Sequence, residues 1–184
     1  MFLRAKIACI ILLTCSCALM AFANDAPADS GCPRNEPAPV FSTRSQAILT
    51  QSFRRVDGAG TEVLRLKSGQ TIRVKNWGCE YYVVTFLVEP TATGRNLGVR
   101  AAYELAADWL VRIKELGANL PFDLELAART LRRHYREARN LAFDSEIAVE
   151  SGGSDFLQTK VMVEQPDEGR KAGAIQFSIF TGPL

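Results

Sequence analysis

The chain has 184 residues, with 22 Lys and Arg against 20 Asp and Glu, one histidine and five cysteines. That length suits one ordinary hydrophobic core and hardly two. Charge so nearly balanced lacks the basic field that dominates non-specific nucleic-acid affinity, so a nucleic-acid partner is not expected.

The first segment reads as a secretory signal peptide. Arg4 and Lys6 form a positive start, Ile7 to Met20 is almost wholly apolar, and Ala21-Phe22-Ala23 supplies the small-x-small pattern of a cleavage site. The expected domains are therefore a signal at residues 1–23, an extended arm at 24–40 and a globular domain at 41–184. The apolar run is short for a membrane span, so no transmembrane anchor is expected after cleavage. Leu12-Leu13-Thr14-Cys15 and Thr14-Cys15-Ser16-Cys17 each half resemble a lipobox with one poor position, which makes a lipid anchor at Cys15 or Cys17 the lesser alternative. Cleavage removes two bases and no acid, leaving a neutral mature domain in the periplasm or outside the cell.

Cys9, Cys15 and Cys17 leave with the signal, and Cys32 and Cys79 remain as an even pair in an exported protein. One disulfide is expected, closing a loop of about 47 residues and stabilising the domain by roughly 4 kcal/mol on the chain-entropy estimate. Without a CxxC spacing or a nearby histidine, the pair does not suggest redox or metal chemistry. Pro27, Pro33, Pro37 and Pro39 make residues 24–40 an extended arm pinned at Cys32.

Thr43 followed by Gln46 resembles a capping box, and Ala47, Ile48 and Phe53 then suggest a short helix over 43–55 ending at Asp57-Gly58. Residues 62–67 and 70–75 alternate as strands around a Ser68-Gly69 turn, with Leu64, Leu66, Ile72 and Val74 inward. Residues 80–89 are apolar on both faces, which predicts a central strand covered on both sides. Leu97 to Leu116 has a helical stripe with Gly117 as its stop, and a second helix opens at Asn119-Leu120-Pro121 as its antiparallel partner. Three further strands are expected at 142–150, 156–164 and 174–180, separated by Ser151-Gly152-Gly153-Ser154 and by the turn 165–169. The fold class is α+β: a largely antiparallel sheet of two three-stranded meanders, backed by a helical pair and a short N-terminal helix. The alternation predicts one core containing Leu64, Leu66, Ile72, Val74, Val84, Phe86, Trp109, Leu131, Ile175, Phe177 and Ile179.

No constellation specifies a reaction, and no cofactor or metal motif is present in the sequence. His134 sits within a helix among arginines, without a Ser or Cys at a helical partner position. Two features carry recognition chemistry. Arg129, Arg132, Arg133 and Arg136, continued by Arg139, share one helix face; a solvated face, or contact with the acid-rich residues 140–184, is the simpler account of them, and guanidinium groups so clustered also suit carboxylates or phosphates on a partner. Asn76-Trp77-Gly78-Cys79-Glu80-Tyr81-Tyr82 places Trp77 and Tyr81 where a partner could reach them, or else is a structural corner. The expected function is a small exported, non-enzymatic binding protein with a protein partner in the envelope, of the inhibitor or immunity type. The alternatives are an enzyme using Asp144, Glu146 and Asp155, or a carrier of a small anionic ligand in a pocket between sheet and helices.

Overall fold

A computed structural model of the chain describes residues 36–42, 45–78, 81–91, 95–150, 158–165 and 170–182, all within one compact unit, Cys32–Leu184. Period-two alternation in the first half builds β1 (Ile48–Val56), β2 (Ala59–Leu66), β3 (Thr71–Trp77) and β4 (Tyr82–Glu89), each antiparallel to the next. Leu64 lies opposite Ile72, and Val74 opposite Phe86, so the inward residues of neighbouring strands meet on one face.

Residues 48–56 correct the expected helix at 43–55, because they form an edge strand; residues 43 and 44 lie outside the described residues. Ile48, Thr50, Phe53 and Val56 favour an extended chain, and pairing with β2 outweighs a local capping signal. Asp57 and Gly58 are not a helix stop. Both have positive φ, 49° and 73°, and they form the two-residue turn between paired Val56 and Ala59, the twist that joins a tight hairpin.

After the helices come β5 (Glu146–Val149), β6 (Gln158–Glu164) and β7 (Ile175–Gly182). They pair as a second antiparallel meander, and β7 pairs with β4, giving one seven-stranded sheet in the order β1-β2-β3-β4-β7-β6-β5. The expected Ser151–Ser154 turn lies outside the described residues, as do the signal segment, Cys32 and Cys79.

Helices α1 (Val99–Glu115) and α2 (Leu124–Glu137) pack on one another and over β5, β6 and β7. Salt bridges Asp108–Arg132 and Lys114–Glu125 advance along α1 while retreating along α2, as an antiparallel pair requires. Gly117, at φ 83°, follows the last turn of α1. The second helix opens later than Asn119-Leu120-Pro121, because Asp123 is the residue whose carboxylate accepts the Leu126 N–H, at 2.9 Å. Residues 119–122 serve the core instead: the Asn119 N–H bonds the Val40 carbonyl and Phe122 stacks on Tyr82 at 5.3 Å.

All eleven residues of the expected core are buried in one cluster. Each such side chain contributes roughly 1.5–3 kcal/mol of transfer free energy. Val40 and Phe41 join them, since the end of the arm lies on the same side of the sheet as the helices. The other face is different. On β4, Val84, Phe86 and Val88 are buried, but Val83, Thr85 and Leu87 are only half-buried, and no described helix or strand packs over them. The expectation that this strand is covered on both sides is corrected to one side among the described residues.

Candidate functional site

Helix α2 owes its register to two constraints, the Asp123 cap and an apolar stripe in which Leu124, Ala127, Ala128 and Leu131 are buried. Fixing that stripe inward turns positions 129, 132, 133 and 136 outward together, at helical spacings of three and four. All four arginines line one solvent-open groove of about 460 Å³, with Glu137 from the same helix and Glu150 from just beyond β5 on its rim.

Two of the four guanidinium groups have carboxylate partners. Arg132 Nη2 lies 2.7 Å from Asp108 Oδ1 on α1, and Arg133 Nη2 lies 3.5 Å from Glu150 Oε2. The Arg133 and Glu150 side chains are 54% and 79% exposed, so water screens the pair and an incoming anion can replace it. Arg136 lies 6.0 Å from the Tyr135 ring. Among the described residues, no ion pair involves Arg129 or Arg136. The groove therefore holds four cations beside three exposed acids, an excess that favours anions and suits carboxylates especially, because each guanidinium can donate two parallel hydrogen bonds.

Trp77 and Tyr81 are not part of this groove. Trp77 alternates with inward Asn76 and so stands on the opposite face of the sheet from the helices, 43% exposed, with Lys75 Nζ 5.6 Å from its ring. Tyr81 is half-exposed and its ring lies against Gly182, where a Cβ would overlap it. Asp144 accepts the Gln165 N–H and Glu146 pairs with Lys160 at 2.8 Å; neither lines the groove, and Asp155 lies outside the described residues. The imidazole of His134 stacks at 6.0 Å on buried Tyr103, whose hydroxyl donates to the Ala142 carbonyl. Burial raises the Tyr103 phenol above its usual range, and nearby Asp144 adds to the effect. Among the described residues, no group of three or more His, Cys, Asp and Glu is placed to hold a metal, and no helix is long and apolar enough to cross a membrane.

A second polar centre lies inside the fold. Glu62 is 1% exposed, and its carboxylate accepts the N–H groups of Val40, at 2.7 Å, and Phe41, together with the Gln51 side-chain amide. Gln51 also donates to the Phe41 carbonyl, and Asn76 Nδ2 donates to the Ala38 carbonyl at 2.7 Å. Arg55 Nε reaches the Pro37 carbonyl at 2.8 Å. Desolvation pushes the Glu62 carboxyl above the usual carboxylate range, against the lowering effect of its three donors. This centre was readable in principle, since Glu62 alternates in phase with inward Leu64 and Leu66 and must share their burial.

Comparison of the chain with protein-family models, with curated proteins and with solved structures returns no match.

Proposed function

We propose that this chain is an exported, non-enzymatic binding protein of the bacterial envelope, of the inhibitor or immunity type, which docks an acidic protein surface on the α2 arginine groove. The observation that carries this reading is the convergence of Arg129, Arg132, Arg133 and Arg136 on one open concavity. The leader-like start supports export, and the Cys32 and Cys79 pair suits an oxidising compartment. Recognition there runs through the on-rate, because exposed cations steer an oppositely charged partner before contact. A protein partner is favoured over a small enclosed anion, since the groove is open to water and cannot surround a ligand.

A periplasmic extract supplies the candidate partner by co-purification, and kinetics with the purified partner test the site. Replacing Arg132, Arg133 and Arg136 with Glu should slow association steeply and abolish its salt dependence while thermal unfolding stays near wild type. Unchanged association by the triple variant would exclude the groove as the docking surface.

A further inference from the structure

The sheet buries one face and leaves the other without a described cover, although its middle strand is apolar on both. β4 is fourth of seven in the strand order, and its outward residues Val83 and Leu87 are apolar, on either side of Thr85, whose hydroxyl shares a hydrogen bond with Ser178 of β7 at 2.7 Å. Phe180 and Met162 add apolar surface on β7 and β6, each half-buried. Charge is divided about the same strand. Arg54, Arg65, Arg73 and Lys75 stand on β1–β3, with Glu89 pairing Arg73 at the end of β4, whereas Glu146, paired with Lys160, stands on β5 and Glu164, which accepts from Gln176 and Ser178, stands on β6.

We infer that this face is the contact between two copies of the chain, packed sheet to sheet about a two-fold axis running along β4. The inference is independent of the arginine groove, which belongs to α2. Charge selects the axis. A rotation about the strand direction lays the basic half of one copy over the acidic half of the other, whereas a rotation about the perpendicular in-plane direction lays cations on cations. The chosen axis also preserves position along the strands, so residues in one cross-strand row meet residues of the same row. Trp77, Val83 and Phe180 share a row, and Trp77 of each copy then faces Phe180 of its partner. A longer row runs from Arg54 to Glu146 through Thr85, which places Arg54 of each copy over Glu146 of the other. The rotation of roughly 30° usual between aligned sheets offsets these outer residues by a distance that an arginine side chain spans.

The area suffices. Seven strands about 4.8 Å apart, with a paired length near 20 Å, present about 650 Å² per copy, or about 1,300 Å² in all, within the range of specific interfaces. The two copies would form a sandwich in which apolar Val83, Leu87 and Phe180 lie about the axis on either side of a polar middle row, with Arg54 and Glu146 at the outer strands.

Sedimentation equilibrium of the purified full chain tests the inference. The expected result is a reversible dimer. Leu87→Asp should leave a monomer with wild-type circular dichroism, and Arg54→Glu, at an exposed position on the edge strand, should weaken dimerisation roughly tenfold with unchanged circular dichroism. Combining Arg54→Glu with Glu146→Arg should restore it. A wild-type chain that is monomeric at millimolar concentration overturns the inference, as does a dimer indifferent to Arg54→Glu. Failure of the double variant to recover overturns the axis, and if Leu87→Asp does not fold, the charge-swap series decides alone.

Discussion

The two polar centres of this protein use charge in opposite ways. Around Glu62 a single carboxylate is almost fully buried and, among the described residues, answered by N–H groups alone, with no cation bonded to it. On α2 four guanidinium groups stand in an open groove, and the two with carboxylate partners among the described residues, Arg132 and Arg133, pair directly with acids that are more than half exposed. Burial makes the first centre structural, since breaking it leaves donors stranded in an apolar site. Exposure frees the second for recognition, since its local contacts are weak and replaceable.

The sharpest way to break that contrast is Glu62→Leu. It removes the acceptor of the Val40 and Phe41 N–H groups, and stability should fall by about 3 kcal/mol, read as a lower urea midpoint. An unchanged midpoint would show that the arm is held by its apolar side chains alone.

Gly60 offers a steric probe of the same centre, because a Cβ there would overlap Asn76 Oδ1 and come within 2.9 Å of carbons of Phe53 and Pro37. Gly60→Ala should cost about 2 kcal/mol, with early proteolysis between residues 36 and 42 marking the displaced arm. Cleavage no faster than in wild type would place the strain elsewhere.

Titration sharpens the comparison further. The folded carboxyl of Glu62 lies above its ordinary value, so the folded state binds this proton more tightly than the unfolded state. Its contribution is fully present below the unfolded value, about 4.3, and is lost as pH rises through the raised folded value. Melting temperatures should therefore show wild type losing stability relative to Glu62→Gln as pH rises through that window. A constant difference across it would mean that the carboxylate is already well solvated by its donors.

The smallest effect belongs to the groove. Arg132→Gln and Arg133→Gln should each change stability by less than about 1 kcal/mol, because their carboxylate partners are exposed. A larger loss would move α2's arginines from recognition into the support of the fold.

Several features were legible in local order alone. Alternation placed Leu64, Ile72, Val74 and Phe86 inward, and helical spacing put Arg129, Arg132, Arg133 and Arg136 on one face, because the periods of strand and helix are fixed by backbone geometry. Asp57-Gly58 was legible too, as a hairpin turn, but a capping pattern upstream pointed to a helix, and only the gain from pairing with β2 decided between them. Asp108 lies 24 residues before Arg132 and Glu150 lies 17 after Arg133, so no local period could announce the arginines' carboxylate partners.

Residues 48–56 apart, the sequence by itself determined which segments are extended or helical, which side of each faces inward, and which cations travel together. Only the tertiary structure decided that β4 pairs with β7 to fuse two meanders, that the arm closes over Glu62, and that the second face of β4 lacks a described cover. The first set follows from neighbours a few residues apart along a regular backbone. The second depends on contacts between distant segments, whose free energy exists only once the chain has closed the loops between them.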